Sequence, residues 1–261
     1  MSFDRILPLD GIHNFRDYGG YAVAGGGRLK TGLLWRSAQH QDATEQDLAA
    51  VQALALGAII DLRGVSERAE HPCRRAPGFS TPVYFANGET AGTTTAPHVA
   101  AAQGAMTMAD GEGALRHAYT GMPVQPHLIS VFRDYFDALA HGAPTLVHCF
   151  AGKDRTGVIV ALFHHLMGVG ADDMMADYLL TNVAGKVEER IAAGATLIRS
   201  RYGAGISDDA IRAMMTVRQD YLHTAFAVMD AEYGSPRAFA EQALGVDDAR
   251  LVQLRALYVE S

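Results

Sequence analysis

The sequence predicts an α/β fold with a central, mostly parallel sheet flanked by helices and a helical carboxyl-terminal part. Two observations support this prediction. Short apolar runs of strand length alternate with amphipathic helical patterns through the first two thirds of the chain, as expected for parallel strands joined by crossover helices. Beyond residue 168, apolar residues keep helical spacing almost throughout.

The composition is that of an ordinary globular protein, and we expect a single domain over residues 1–261. Of the 261 residues, 49% are hydrophobic and 20% are charged, so one sizeable core can form. The formal net charge of −7 argues against broad binding to nucleic acid or anionic membranes, because both need a basic surface. An anionic substrate would therefore be attracted locally.

The chain shows no membrane-spanning or signal-like segment. We therefore expect a cytoplasmic protein without stable membrane insertion, and export without a cleaved signal stays open as the alternative. There are two cysteines, Cys73 and Cys149, which suits a reducing compartment and is too few for a disulfide scaffold. Cys73 is either a bystander in a loop or a partner that protects Cys149 in a reversible disulfide.

The first strand is predicted at 33–37, directly after a turn containing three glycines. A helix over 44–55 follows, since Thr44 and Asp47 make a start that resembles a capping box. Its apolar residues form one stripe. This strand and helix predict the first crossover unit of the sheet.

The next strand, predicted at 58–63, is apolar and ends in charge at Asp61 and Arg63. If it is parallel to a strand at 145–147, these side chains lie at the same rim as the loop that follows 145–147. Asp61 and Arg63 either belong to a structural ion pair among Asp61, Arg63, Glu67 and Arg68 or form part of a substrate site.

A further strand is predicted at 81–85. Residues 86–125 are then rich in glycine, alanine and threonine, a composition that holds little core, so we predict an exposed, mobile insertion. A helix over 126–139 follows, with Pro126 in its first turn.

The chain after Gly168 predicts five helices, at 172–180, 186–201, 208 to about 233, 236–244 and 247–258. Just before them, His164 and His165 are adjacent in a helix. Adjacent helical side chains point apart, so we expect no metal site there.

The most informative stretch is His-Cys-Phe-Ala-Gly-Lys-Asp-Arg-Thr-Gly, residues 148–157. It follows the strand at 145–147 and precedes a helix that runs to Met167. Ligands of α/β folds bind at such carboxyl ends of strands. Gly152 permits tight curvature, and successive N–H groups at a helix start bind phosphate.

Cys149 is the predicted nucleophile of this loop. A helix amino terminus and nearby cations favour the ionised form of a cysteine, and here the helix start is joined by Lys153 and Arg155. The planar fork of Arg155 can bind two oxygens of a phosphoryl group. Together these residues predict attack by the sulfur on phosphorus.

The Cys-x5-Arg-Thr spacing resembles the protein tyrosine phosphatase superfamily, and the full string resembles its bacterial branch of tyrosine and dual- or triple-specificity phosphatases, which also accept phosphoinositides. The Asn-Phe-Arg-Asp-x-Gly-Gly segment at 14–20 and the Asp-Leu-Arg at 61–63 resemble the same branch. The resemblance implies a protein-tyrosine-phosphatase-like fold, and Arg16 and Asp17 are expected to be structural. Two other loop types fit poorly. A Walker-type loop needs glycine where Val147 stands, and a rhodanese-like sulfur carrier would not require Arg-Thr-Gly at the start of the following helix.

The resemblance also implies a helical lid, as in some relatives, at about 170–215, with a fixed helical flank as the alternative. The catalytic residues are expected to be Cys149, Arg155 and Asp154. The residues expected to bind substrate are Phe150, Ala151, Gly152, Lys153, Thr156, Arg63 and Asp61.

The proton donor to the leaving group is predicted to be Asp154, with Asp61 as the second candidate. Eukaryotic relatives carry this acid on a Trp-Pro-Asp loop. Here the one tryptophan, Trp35, precedes Arg36, so that motif is absent.

The predicted function is metal-independent, cofactor-free hydrolysis of phosphate monoesters through a cysteinyl-phosphate, with inorganic phosphate as product. Protein phosphotyrosine is the preferred substrate, and phosphoinositides or phosphoserine and phosphothreonine are alternatives. Lys153 resembles a lysine of phosphoinositide phosphatases, whereas Phe150 stands where the three-phosphate-lipid enzymes carry another lysine. A binding module for phosphorylated ligands that lost turnover is the alternative from another class.

Overall fold

The computed structural model describes residues 5–91, 108–189, 191 and 207–261. Its strands are β1 (Arg16–Asp17), β2 (Arg28–Leu29), β3 (Leu34–Ser37), β4 (Ala58–Asp61), β5 (Val83–Phe85), β6 (Thr145–His148) and β7 (Val259–Glu260). Five of them form one sheet in the order β1-β3-β6-β4-β5, and β2 pairs with β7. Strands β3 to β6 are parallel and only the edge strand β1 is antiparallel. The predicted mostly parallel sheet is therefore confirmed.

The helices of the described residues are α1 (Glu45–Ala53), α2 (Val65–Glu70), α3 (Met108–Gly121), α4 (Pro126–Leu139), α5 (Asp154–Met167), α6 (Ala171–Leu179), α7 (Thr181–Ala184), α8 (Asp208–Met215), α9 (Gln219–Tyr233), α10 (Pro236–Leu244) and α11 (Asp248–Tyr258). Within those residues, no helix has the length and apolar character needed to cross a bilayer.

Helix ends follow the signals in the sequence. Thr44 and Asp47 make the predicted capping box at the start of α1, and Pro126 stands in the first turn of α4. Gly168 ends α5 with a φ of 81°, a left-handed conformation in which glycine is favoured. The predictions for these helices are confirmed to within two residues.

Successive residues of a strand point to opposite faces of the sheet, and both faces of this sheet are buried. Ile60 and Val147 pack into a large core with residues of α4 and α5. Their neighbours Ile59 and Leu146 pack into a second core with Leu48 of α1. Two covered faces are typical of parallel sheets and explain why the middle residues of the central strands β4 and β6 are apolar.

The strands β3, β6 and β4 end at the same level of the sheet. The last residue of β6, His148, is in register with Ser37 at the end of β3 and with Asp61 at the end of β4. The expectation that Asp61 lies at the rim of the loop after β6 is therefore confirmed.

The predicted mobile insertion at 86–125 is corrected in part. Residues 92–107 lie outside the described residues, but 108–121 form α3 and Met122–Val124 form a 3₁₀ turn. Leu115 and Tyr119 on α3 are 6% and 0% exposed and belong to the main core. The expectation that this part holds little core is wrong, because the few large residues recur at helical spacing among many small ones.

The helix predicted from 208 to about 233 is two helices. Thr216 closes α8 in an extended conformation, and α9 begins at Gln219. Asn182 holds the break by bonding both the N–H and the C=O of Val217. The local pattern could not reveal this side chain from another helix.

The lid at about 170–215 stays a prediction. Its first part forms α6 and α7, and Tyr178 of α6 is buried in the main core. The predicted helix at 186–201 is helical at 187–189 and 191, and the rest lies outside the described residues.

Replacing Leu115 with alanine tests whether α3 is part of the core. We expect the free energy of unfolding to fall by about 2–5 kcal/mol, because a buried leucine loses its contacts and leaves a cavity. Urea unfolding measures this, with V183A as the control because Val183 is 68% exposed. Equal stability of L115A and V183A would contradict the packing of α3.

Candidate active site

The residues between β6 and α5 form a tight loop that depends on Gly152. Its φ is 67°, a conformation that residues with a side chain rarely adopt. A Cβ at this position would lie 2.3 Å from the carbonyl oxygen of Ser37. The glycine therefore lets the loop lie directly against the end of β3.

The outer side of the loop is held by two side chains. Asn14 Nδ2 donates to the carbonyl oxygens of Ala151 and Gly152 at 3.3 and 2.7 Å, and Arg36 Nη2 donates to that of Gly152 at 3.0 Å. In a trans peptide the C=O and N–H point opposite ways. The N–H groups of Gly152 and Lys153 therefore point away from Asn14 and Arg36, and no described residue accepts a hydrogen bond from them.

A buried carboxylate supports these anchors. Asp177 on α6 contacts Arg36 Nη1 at 2.8 Å and Arg16 Nε at 3.3 Å, and Arg16 in turn donates to Asn14 Oδ1. Burial alone would raise the pKa of Asp177, but the charges of the two arginines outweigh burial and lower it to about 2. Asp177 is thus the counterion shared by both guanidiniums that shape the loop.

The expected structural role of Arg16 and Asp17 agrees with their contacts. Arg16 is fully buried and belongs to the Asp177 network. Asp17 accepts hydrogen bonds from the N–H groups of Gly19 and Gly32 at 2.7 and 2.5 Å, so it fixes the turns on either side of β2.

Cys149 lies at the base of the loop and is 2% exposed. Thr156, in the first turn of α5, is fully buried, and its hydroxyl has no hydrogen-bond partner in the described part of the chain. A buried hydroxyl without a partner is costly, and such groups often point to a missing ligand.

Arg155 is held by Glu67 of α2. Its Nη1 and Nη2 contact the two carboxylate oxygens at 2.5 and 2.7 Å, and Nη1 also bonds Thr90 Oγ1 at 2.9 Å. Burial would raise the pKa of Glu67, but the charge and hydrogen bonds of Arg155 outweigh burial and lower it. The pair is two-pronged and largely removed from water, which fixes the plane of the guanidinium.

Asp61 and Arg63 form the ion pair that was one of the two expectations. Both oxygens of Asp61 accept from Arg63, at 2.9 and 2.7 Å. Burial would raise the pKa of Asp61, but His148 and Arg63 outweigh burial and lower it to about 2. A carboxylate so stabilised in its charged form is a poor proton donor at neutral pH.

Cys73 contacts this pair, and its role stays a prediction. Arg63 Nη2 and the N–H of His40 lie 3.1 and 3.3 Å from its sulfur. Potential ligand atoms of Asp61, Cys73 and His148 lie within 4.8 Å of one another. Arg63 Nη2 contacts the first two of them, so a guanidinium already fills the place that a metal ion would take.

Asp154 and Lys153 open α5. Tyr119 Oη donates to Asp154 Oδ1 at 2.9 Å. Lys153 Nζ donates to the carbonyl oxygens of Met214 and Thr216 at 2.5 and 3.3 Å, so it caps the carboxyl end of α8. Lysine near the last carbonyls of a helix is favourable, and the contact joins α8 to the loop.

Phe150 is the most exposed side chain of the loop, at 37%. Its ring packs edge-on against His71 with centroids 4.9 Å apart. The two rings form an aromatic surface beside the loop.

Of the residues expected from the sequence, 149–156 form the loop and the first turn of α5. Asp61 and Arg63 lie at the end of the neighbouring strand β4. The site residues that sequence reasoning missed are Asp177, Tyr119 and Arg36. Glu67, expected in an ion pair with Asp61, Arg63 and Arg68, is paired with Arg155. Asp177 and Tyr119 lie in helical segments without a local motif. A mid-helix acid followed by a tyrosine carries no signal of its own.

Replacing Gly152 with alanine should disrupt the loop. The new Cβ would collide with backbone atoms of β3 and require a strained φ, so hydrolysis of 4-nitrophenyl phosphate should fall at least about 100-fold, as misplaced catalytic groups cost. The control is G113A, where nothing lies within 4 Å of the added Cβ. Unchanged turnover of G152A would contradict the loop geometry.

The Asp177 network predicts a pH dependence of stability. The pKa of Asp177 is lowered from 3.8 to about 2 on folding, so its contribution is complete above about pH 4 and lost as the pH falls towards 2. Between pH 5 and 2 the free energy of unfolding should drop by about 2 kcal/mol more in the native protein than in D177N. Urea unfolding at each pH measures this, with exposed Asp172→Asn as the control. Parallel pH profiles of D177N and the native protein would contradict the network.

Comparisons with known proteins find a family and relatives that span nearly the whole chain. A model described as "Tyrosine phosphatase family" matches residues 7–260. A protein of Cupriavidus necator provisionally named tyrosine-protein phosphatase is 32% identical over 256 residues, covering 94% of this chain and 86% of that protein. The triple specificity protein phosphatase PtpB of Mycobacterium tuberculosis is 28% identical over 278 residues, covering 97% of this chain and 98% of PtpB.

The crystal structure of P. aeruginosa TpbA matches with a TM-score of 0.27 and 20% identity, covering 74% of this chain and 96% of TpbA. That TM-score is too low to contribute to the assignment, which depends on the family model and the two relatives. Since these span nearly the whole chain, the protein belongs to the tyrosine phosphatase family and is a hydrolase of phosphate monoesters.

Proposed function

We propose that the protein is a cysteine-dependent phosphatase in which Cys149 attacks phosphorus while loop N–H groups and Arg155 hold the phosphoryl oxygens. The observation that carries this proposal is the outward anchoring of the Ala151 and Gly152 carbonyls by Asn14 and Arg36. It leaves successive N–H groups facing the other way at the amino end of α5. Such an array binds phosphate and favours a thiolate.

The reaction has two balanced steps. The Cys149 thiolate forms a bond to phosphorus as the bond to the ester oxygen breaks, and Asp154 gives its proton to that oxygen. Water then attacks the cysteinyl-phosphate, Asp154 takes a proton from it, and the phosphorus–sulfur bond breaks to release inorganic phosphate. Thr156 contributes a buried hydroxyl without a partner among the described residues, which suits hydrogen bonding to the sulfur or to phosphate.

Arg155 binds substrate with the edge that Glu67 leaves open. Glu67 and Thr90 take the end of the guanidinium, whereas Nε has no partner among the described residues. Arginine has five N–H donors in a fixed fork. The Nε–H and the adjacent Nη2–H can therefore contact two phosphoryl oxygens while Glu67 holds the plane.

Asp154 is the better of the two candidates for the acid. Asp61 has both oxygens bonded to Arg63 and a pKa of about 2, so it stays ionised. Asp154 has a partly exposed side chain, at 21%, and lies in the first turn of α5. The Asp61–Arg63 pair instead stabilises the rim, and its contact with substrate stays a prediction.

Protein phosphotyrosine is the substrate that the aromatic surface beside the loop favours. The exposed Phe150 ring and His71 offer an aromatic wall on which a phenyl ring can pack. Lys153 is engaged by two carbonyls of the 214–216 segment, so a polyphosphorylated head group would first have to displace them. Phosphoinositides and phosphoserine or phosphothreonine remain the alternatives, since PtpB is named for triple specificity.

The proposal also includes a helical lid over the loop and a cytoplasmic location for the protein. The hydrogen bonds of Lys153 to Met214 and Thr216 support a lid over about 170–215 whose α8 end lies on the loop. The two cysteines are free, which supports a reducing, cytoplasmic compartment.

Replacing Cys149 with serine should abolish turnover of a phosphotyrosyl peptide, because an alcohol at neutral pH is a far weaker nucleophile than a thiolate. Binding of the peptide, measured by calorimetry, should persist within about tenfold because the loop is intact. The matched control is Cys73→Ser, which should keep substantial activity. EDTA should leave the native rate unchanged. Turnover in C149S would contradict the mechanism, and binding without turnover in the native protein would favour a binding module.

A further inference from the structure

We propose that Tyr119, supported by Tyr178, is the positioning residue that orients the carboxyl group of Asp154 for proton transfer. The inference rests on the proposed function of Asp154 as the acid. It goes beyond that function because it assigns a role to two tyrosines from helices outside the 148–157 motif.

A chain of three side chains leads to the acid. Tyr119 Oη donates to Asp154 Oδ1 at 2.9 Å and lies 2.7 Å from Tyr178 Oη. An ionised carboxylate can only accept hydrogen bonds, so the single proton of Tyr119 is directed at Asp154. The hydroxyl of Tyr178 must then be the donor to Tyr119. Each member of the chain is satisfied, which favours a rigid arrangement.

The contacts distinguish the two oxygens of Asp154. Tyr119 bonds Oδ1, and the nearest carboxylate oxygen to Lys153 Nζ is the same atom, at 3.4 Å. In the part of the chain that the structure describes, no hydrogen-bond donor is assigned to Oδ2. The hydrogen bond from Tyr119 and the nearby charge of Lys153 both act on Oδ1, so the acidic proton is placed on Oδ2, which is then the oxygen directed at the leaving group.

Packing keeps the tyrosines in place. Tyr119 is fully buried and its ring lies 5.6 Å from that of Tyr221 on α9. The ring of Tyr178 lies against Gly157, where an added Cβ would meet ring carbons at 2.8 and 2.9 Å. The last glycine of the motif at 148–157 thus makes room for the tyrosine that supports Tyr119.

Tyr119 does not supply the proton itself. Burial, with the nearby charge of Asp154 next, raises its pKa well above the ordinary value, so it remains protonated. In the first step the proton moves from Asp154 Oδ2 to the ester oxygen as that oxygen leaves phosphorus. In the second step a proton of the attacking water returns to Oδ2 as the phosphorus–sulfur bond breaks. Tyr119 keeps its hydrogen bond to Oδ1 throughout.

The groups that face Asp154 are Tyr119 of α3, Tyr178 of α6 and the neighbouring Lys153, with the charge of Arg155 nearby. Of these groups, Tyr119 can be tested by removing one oxygen atom, in the Tyr119→Phe variant. Removing its hydroxyl removes a donor that favours the ionised carboxylate. The proton should then be held more tightly and with a less defined direction.

The test compares Tyr119→Phe with Tyr135→Phe, a matched control. Tyr135 is also fully buried, and among the described residues its hydroxyl has one hydrogen-bond partner, Tyr18 Oη at 2.8 Å, and no contact with Asp154. Both variants are assayed on phenyl phosphate, which needs protonation of its leaving group, and on 4-nitrophenyl phosphate, which needs it far less. Circular dichroism and thermal unfolding verify that each variant is folded.

We expect Y119F to lose about tenfold in kcat on phenyl phosphate and less than about twofold on 4-nitrophenyl phosphate. The alkaline limb of its kcat/KM profile should move to higher pH by about 0.5–1 unit. Y135F should match the native protein in its kcat on both substrates and in the position of this limb. Equal losses on the two substrates, an unmoved limb, or behaviour identical to Y135F would overturn the inference.

Two further variants separate this inference from the proposed function. Asp154→Asn should lose more than Y119F on phenyl phosphate, again selectively, and Asp61→Asn should show no such selectivity. If D154N lacks selectivity, the assignment of the acid fails and the inference fails with it. If D154N is selective and Y119F is not, only the role of Tyr119 is overturned.

Discussion

The structure of the active-site loop depends on two peptide groups whose carbonyl oxygens are held outward. Asn14 and Arg36 bind those of Ala151 and Gly152, and the opposite N–H groups are thereby turned inward. Backbone dipoles fixed before substrate arrives need little reorganisation during the reaction, which is why such donors are effective in catalysis. The chemistry proposed for Cys149 follows from this arrangement.

That arrangement also explains why distant parts of the chain share one charge network. Two buried guanidiniums beside the loop would be costly without a counterion, and Asp177 supplies it. The amino-terminal segment, strand β3 and helix α6 therefore have to pack together for the loop to form. A second pair, Arg155 with Glu67, holds the guanidinium that we propose binds substrate.

Much of the fold followed from local signals, because the central strands β4 and β6 have apolar middles and several helices carry caps. Pro126 and Gly168 mark helix ends that the structure reproduces, and the motif at 148–157 indicated the site. Contacts between distant residues had no such signal. Asp177 and Tyr119 are ordinary helical residues until tertiary packing brings them to the loop, and the break at 216–218 depends on Asn182. The composition of 108–121 hid a buried helix because few of its residues are large.

The central claim is that outward anchoring of the loop carbonyls creates an oxyanion site above the sulfur of Cys149. A crystal structure of the protein with tungstate, a stable analogue of phosphate, tests it most directly. The account predicts tungstate over Cys149 Sγ, with hydrogen bonds from the N–H groups of Gly152 and Lys153 and from Arg155 Nε. Tungstate bound elsewhere, or a loop with these carbonyls turned towards Cys149, would contradict it.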